Sequence, residues 1–294
     1  MNILVVGKVT DNQVRRLKEE AEKRNHTLYN CSSHDLYTTA SVNSFLPQIP
    51  NADLTKFDLI YLLTTGERKH EWSIACLYLY ENFGIQTVEN KLIDPNLKIF
   101  YSSTSELYKQ YKNKLKFPKT AVVVSANTVK YVLKDFTFPV VVKATSLQRG
   151  LGVHLANSLD EIKQTIKTCK DQSPNFFIRE FIPNDGDIRV FTVGFKAIGA
   201  MKRVPKDGDF RSNISRGGHG EKYDLKANPK VKEIAETLSR LNQNQIAGVD
   251  IIINQETSEP YILEINAGPQ FRGLEEYTNV NAALEIIKYF ETLV

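Results

Sequence analysis

A chain of 294 residues, 41% hydrophobic and 24% charged, has the make-up of a globular protein long enough for two or three modest domains. A net charge of +4, with no lysine tract carrying interleaved aromatics, argues against direct nucleic-acid binding, yet five of the twelve arginines lie between Arg179 and Arg216, a bias toward small anionic ligands. No apolar run reaches membrane-span length, and the widely spaced Cys31, Cys76 and Cys169 suggest neither a disulfide framework nor a zinc cluster, so a soluble cytoplasmic protein is expected.

Asn2 to Val6 reads as a buried strand, and Asp11 caps a helix to about Arg24 with Val14, Leu17 and Ala21 on one face. The apolar run Phe57 to Leu63, a helix from about Glu71 to Phe83 ended by Gly84, and the strand Ile85 to Val88 extend the alternation. Residues 1–92 are thus expected to form a small α/β domain. Lys91 to Lys98 reads as a linker, and Ser103-Thr-Ser-Glu106 has the form of a capping box opening a helix through Tyr111. A second module, residues 93–178, continues with strand Thr120 to Val124, a helix near Thr128 to Lys134, strand Pro139 to Lys143, a glycine-containing loop, strand Val153 to Ala156 and a helix from Ser158 to about Cys169. From Phe176 the strands lengthen: Phe176 to Ile182, Ile188 to Val193 and Ala197 to Val204. A polar loop, a helix from about Pro229 to Leu241, strands Gly248 to Ile253 and Tyr261 to Asn266, and a helix from about Asn281 to Leu293 follow. The third module is taken as residues 179–294, which makes three consecutive α/β modules.

The last strand pair carries the strongest chemical signal. Glu264 and Asn266 share a face by the two-residue period, and a hairpin symmetric about Thr257 places Asp250 opposite Glu264. Two carboxylates so placed repel unless a cation lies between them, and the oxygen-only set Asp250, Glu264 and Asn266 suits Mg²⁺, with Mn²⁺ as an alternative. A surface hairpin whose acidic residues face water is the plainer reading, but such residues rarely interrupt very apolar strands without a partner. Lys143 ends a valine-rich strand, and Arg149, Gly150 and Gly152 in the loop after it could let backbone and cations approach a phosphate; no Walker sequence is present, and taken by itself the loop reads first as a simple hairpin turn. Arg211 and Arg216 lie in a glycine-bearing loop downstream of Arg189, Lys202 and Arg203, either as a solvated basic loop or as part of a convergent anion site.

Taken in order, these segments resemble the ATP-grasp superfamily, and most closely the RimK-type ligases that add glutamate to a ribosomal protein tail. The most specific match is Gly208-Asp-Phe-Arg-Ser-Asn213 with Arg216-Gly-Gly218, joined to Ala-Gly-Val-Asp250 and Glu264-Ile-Asn266-Ala. The resemblance implies an ATP-grasp fold with an N-terminal Rossmann-like domain. It also implies that Lys143 contacts phosphate, Glu180 and Phe181 hold adenine, Asp187 holds ribose, Arg211, Ser212 and Asn213 border the nucleotide, and Asp250, Glu264 and Asn266 bind the metal. Three departures stand out. Ser102-Ser103 stands near the place of an Asp-Lys pair, with Lys98 or another residue left to replace its lysine; Ser146-Leu147 stands where relatives carry an acidic residue and glycine; and Gly268 to Arg272 differs from the usual Ser-Pro-Gly ending.

The chemistry expected is ATP-dependent, ADP-forming joining of a carboxylate to an amine through an acyl-phosphate. Arg189, Arg203 and Arg216 are expected to stabilise the transferring charge and to favour an acidic amino acid, glutamate first. The acceptor is expected to be a protein tail, a peptide or a small molecule, with a homo-oligomer compatible. A nucleotide-binding module without turnover is the alternative, motivated by the absent Asp-Lys pair.

Overall fold

The computed structural model describes residues 1–8, 11–94, 102–145, 152–173, 175–206 and 217–294. The first part of the chain contains β1 (Asn2–Val6), α1 (Asn12–Lys23), β2 (Thr27–Cys31), β3 (Tyr37–Ser41), β4 (Ser44–Gln48), β5 (Leu59–Tyr61), α2 (Lys69–Phe83) and β6 (Gln86–Val88). β1, β2, β5 and β6 form a parallel sheet ordered β2-β1-β5-β6, while β3 and β4 pair as a separate exposed ribbon. The Asp11 carboxylate accepts from the Gln13 amide at 3.0 Å to cap α1, whose Val14, Leu17 and Ala21 are buried as the helical period predicts. β2 and the ribbon were not expected from the sequence. Their short, largely polar strands lack a clean alternation.

The second part holds α3 (Ser103–Lys112), β7 (Thr120–Val123), α4 (Val129–Val132), β8 (Val140–Ala144), β9 (Val153–Ala156), α5 (Leu159–Cys169) and β10 (Phe176–Glu180). Its strands form an antiparallel sheet, β7-β10-β8-β9. Val140, Val142, Ala144, Phe176 and Ile178 pack with Val129, Ile162 and Ile166 of α4 and α5, so the two-residue period sends Lys143, Phe177 and Arg179 to the opposite face. The boundary expected at 178/179 falls inside β10, which pairs wholly with β7 and β8. The second sheet therefore runs on to Glu180.

The third part contains β11 (Asp187–Val193), β12 (Lys196–Val204), β13 (His219–Lys222), α6 (Pro229–Leu241), β14 (Ile246–Ile253), β15 (Pro260–Ala267), α7 (Arg272–Thr278) and α8 (Ala282–Glu291). Its antiparallel sheet is ordered β13-β12-β11-β14-β15. Ala247, Val249 and Ile251 of β14 pack with Val231, Ala235 and Leu238 of α6, leaving Gly248 and Asp250 on the other face. Among the described residues no helix is long and apolar enough to cross a membrane.

The first and third parts share a core. Ile3, Val5, Leu59 and Tyr61 join Phe191, Phe271, Ile286 and Phe290 in one buried cluster, with the Tyr61 and Phe290 rings edge to face at 5.5 Å. A polar seam runs beside it. Ile246 N donates to Glu89 Oε1 at 2.9 Å, Asn90 N to Gln245 Oε1 at 2.7 Å, and buried Lys91 to Asn244 Oδ1 at 2.7 Å, so Lys91, where the expected linker begins, is held beside the start of β14. At the other end of the hairpin, Gly268 leaves β15 with φ +59°, and a Cβ there would lie 2.6 Å from the Leu63 carbonyl oxygen. Only glycine lets the chain pass over the end of β5 in this way. Gly268→Ala is expected to lower stability by about 2 kcal/mol or more, from left-handed backbone strain plus backbone collision. Urea unfolding measures this, and a loss below about 0.5 kcal/mol would show that the crossing is not held there.

Candidate active site

Arg189, Asp250 and Glu264 stand in one row across β11, β14 and β15. The expected opposition of Asp250 and Glu264 holds, but not through a symmetric hairpin. From Ile253↔Pro260 to Ile251↔Ile262 the ladder runs in a register that by itself would set Asp250 against Leu263; a bulge takes up Leu263 and brings Glu264 opposite instead. The bulged residue is not idle: its carbonyl accepts from Arg179 Nη1 at 3.0 Å, joining the second sheet to the third.

The carboxylates are paired with cations. Arg189 grips Asp250 in bidentate fashion, Nε to Oδ1 and Nη2 to Oδ2 both at 2.7 Å, and Asp250 is 2% exposed. Arg203 reaches Asp250 Oδ2 at 2.9 Å and takes both oxygens of Asp187. Burial works against the charge on Arg203, but Asp250 and Asp187 outweigh it and hold the guanidinium firmly protonated. Lys143 donates directly to Glu264. Burial opposes ionisation of Glu264 too, and Lys143, Arg189 and the Asn266 amide overcome it, keeping the carboxyl far below its usual range. Asn266 Nδ2 lies 3.3 Å from Glu264 Oε1 and 3.5 Å from Asp250 Oδ2.

Beside this row lies a cavity of about 180 Å³ between the second sheet and β15, lined by Lys143, Arg179, Glu264 and Asn266 and closed on one side by α3. Two residues of α3 that sequence reasoning missed face it, Glu106 and Gln110. The expected capping box from Ser103 to Glu106 is displaced by one residue. Ser102 Oγ accepts from Ser105 N at 3.1 Å and Ser105 Oγ from Ser102 N at 3.0 Å, which frees the Glu106 carboxyl to turn inward. Burial and the neighbouring Glu264 push Glu106 up to about 7. Arg179, likewise buried, is lowered to about 10. The spacing of Glu106 and Gln110, four apart on a helix, was the available signal.

Glu180 and Phe181 lie where β10 ends and the chain crosses to the third sheet. The Glu180 carboxylate accepts from Lys119 N at 2.6 Å, and Phe181 is half-buried. Asp187 opens β11 with its carboxylate engaged by Arg203 rather than turned free toward a ligand. Lys143, Asp187, Arg189, Arg203, Asp250, Glu264 and Asn266 are thus joined in one polar network, of which Lys143, Glu264 and Asn266 line the cavity. Lys98, Arg149, Gly150, Arg211, Ser212, Asn213 and Arg216 lie outside the described residues.

A family model described as the RimK-like ATP-grasp domain matches residues 105–290. A probable alpha-L-glutamate ligase of Legionella pneumophila (strain Corby) is 30% identical over 283 residues, covering 94% of this chain and 90% of that protein. The solved ATP-grasp ligase PsnB, complexed with minimal precursor, Mg and ADP, superimposes with a TM-score of 0.74 at 16% identity over 99% of this chain and 97% of PsnB. The RimK domain protein from Sphaerobacter thermophilus gives 0.70 at 15% identity over 98% and 99% of the two chains. With more than half its length matched by the family model and nearly all of it by the Legionella relative, the chain belongs to the RimK-like ATP-grasp family and is an ATP-dependent carboxylate–amine ligase.

Proposed function

We propose that this ligase attaches an acidic amino acid, glutamate first, to a protein tail, peptide or small acceptor through an acyl-phosphate, with release of ADP. The observation that carries the reading is the row Arg189, Asp250, Glu264 with Lys143 directly on Glu264, set at a cavity between two sheets. Such a row supplies both an oxygen set for a cation and a movable ammonium for phosphate.

Asp250, Glu264 and Asn266 fit Mg²⁺, a hard cation that takes one or two carboxylates and keeps its remaining positions for water and phosphate oxygens. An ionised carboxylate has about four lone-pair sites, so Asp250 keeps acceptor capacity beside its two arginines. Bound there, the metal supplies charge neutralisation at the phosphoryl group in transfer. Lys143, exchanging Glu264 for phosphate, adds a second positive charge, and Arg179 holds β10 and β15 at fixed separation around the nucleotide. Because the Glu180 carboxylate is committed to Lys119, adenine recognition there falls to backbone groups at Glu180 and Phe181, with Asp187 and its Arg203 partner toward the ribose.

In the reaction a substrate carboxylate oxygen attacks the γ-phosphorus of ATP as the bond to ADP breaks. An amine nitrogen then attacks the acyl carbon, phosphate leaves, and the nitrogen loses a proton to give the amide. No side-chain nucleophile is required. The chain's residues position the reactants and offset charge that grows in the transition state.

Arg189 and Arg203 do not provide the surplus positive charge expected from the sequence, since Asp250 and Asp187 balance them. Support for glutamate comes instead from the named activity of the 30% identical relative.

Glu264→Gln, nearly unchanged in volume, is expected to abolish Mg²⁺-dependent ADP release with little change in circular dichroism, whereas Asp250→Asn is expected to abolish it and also to lower the melting temperature, because Arg189 and Arg203 lose a buried counter-charge; normal turnover in either would remove that residue from the metal set. Lys143→Met is expected to slow ADP formation about 10²- to 10³-fold, the usual effect of losing one preorganised charge contact. An unchanged rate and unchanged nucleotide affinity would place Lys143 outside the site. Among glutamate, aspartate, lysine and alanine at matched concentrations, ADP release over a panel of acceptors is expected to be highest with glutamate. A preference for lysine or alanine would overturn the acidic substrate while leaving the ligase class in place.

A further inference from the structure

Lys143 and Arg179 are the described cations on the cavity wall, and they are held in different ways. Arg179 is buried and fixed by two neutral acceptors, the Leu263 carbonyl and Thr120 Oγ1, each at 3.0 Å. Lys143 is partly exposed, and its ammonium sits directly on Glu264, a partly exposed carboxylate of the facing sheet. A flexible four-carbon stem lets an ammonium change partners without moving its strand. Lys143 is therefore the wall cation that an incoming phosphate can recruit, and recruiting it takes it from Glu264.

The consequence depends on what the nucleotide carries. Besides Lys143, Glu264 meets the Asn266 amide, which brings no charge, while Arg189 is committed to Asp250 through two hydrogen bonds. A phosphate that draws Lys143 away without bringing a cation leaves Glu264 facing a group of its own sign in a partly closed cavity, and a carboxylate deprived of its partner there is disfavoured. A nucleotide carrying Mg²⁺ supplies what is missing. The metal takes Glu264 as the phosphate takes Lys143, so one ion pair is replaced by two contacts between opposite charges.

We propose that the Lys143–Glu264 pair is a specificity-determining contact that makes the site select metal-loaded nucleotide over free nucleotide. The proposal rests on reading Lys143 as a phosphate contact and Glu264 as a metal ligand. Without metal the pair closes on itself, the carboxylate holding the ammonium that a phosphate needs.

Calorimetry of ADP binding to the full-length protein, in EDTA and in saturating Mg²⁺, tests this with Glu264→Gln, Lys143→Met and the double variant. In EDTA, Glu264→Gln, which keeps the volume and removes the charge, is expected to bind ADP about 10-fold or more tightly than the unaltered protein, the size of one hydrogen bond to a charged group. In the Lys143→Met background the same substitution is expected to gain less, since repulsion is relieved but no ammonium is released. Binding in EDTA no tighter with Glu264→Gln overturns the proposal, and so does an equal or larger gain in the Lys143→Met background, which would make Glu264 a simple repulsive charge. Lys143→Met gives an independent measure. With Glu264 freed, Mg²⁺ alone is expected to bind that variant more tightly than the unaltered protein, and equal or weaker binding also overturns the proposal. The Mg²⁺ arm tests the reading beneath: Mg²⁺ is expected to strengthen ADP binding to the unaltered protein and to do so far less with Glu264→Gln. If it strengthens both equally, Glu264 is not a metal ligand and the proposal falls with that reading. If the Mg²⁺ arm comes out as expected and the EDTA arm does not, the metal ligand stands and the selective role falls.

Discussion

Asp250 is 2% exposed, on a strand whose neighbours are almost entirely apolar, and an ionised carboxylate in that place is stable only with cations against it. Arg189 supplies two hydrogen bonds in plane and Arg203 a third, while Arg203 also satisfies Asp187. These four side chains form a network in which removing any one leaves a buried charge unbalanced. The arrangement sets the spacing of β11, β12 and β14 on the ligand-facing side, and Glu264 and Asn266 inherit their positions from it through the β14–β15 ladder.

The same network determines what is left for a ligand. Arginines spent on internal carboxylates contribute local field and rigidity rather than free charge. The lone ammonium directly on Glu264 is a different case, because Lys143 comes from the other sheet and its partner is only partly buried. An ion pair bridging two sheets at a cavity is suited to rearrangement, whereas the Arg–Asp lattice on one sheet is suited to holding still.

Connections between the parts of the chain support this division. The first and third parts share an apolar core and the Glu89–Lys91 seam, so they act as a common base. The second sheet touches the third through Arg179 and the bulged Leu263 carbonyl, and through Lys143 and Glu264. The side-chain contacts from β8 and β10 to β15 are polar and close to the bulge, while Leu115 and Phe117 of the second part pack apolar side chains into the core of the third and Ile262 N donates to the Lys116 carbonyl at 2.9 Å.

Much of this was legible in the sequence because it depends on local periodicity. Val14, Leu17 and Ala21 mark the buried face of α1, the valines around Lys143 mark which side of β8 is covered, and the two-residue period pairs Glu264 with Asn266 on one face. Family-specific residue order added the ligase class, which periodicity alone does not carry. What the tertiary structure decided was everything that depends on partners distant in the chain. The bulge at Leu263, not hairpin symmetry, sets Glu264 against Asp250, and its register is stabilised by Arg179, 84 positions away. The free charge of Arg189 and Arg203 could not be judged without knowing that β11 and β12 bring them onto Asp250 and Asp187. Glu106 was hidden by the Ser103–Glu106 capping pattern, which the sequence favours; the helix instead takes Ser102 and Ser105, and only folding reveals that the carboxyl left over faces the cavity. Short-range patterns specify which side chains share a surface, but the charge balance of that surface is set by strand pairing, which sums interactions the linear sequence keeps apart.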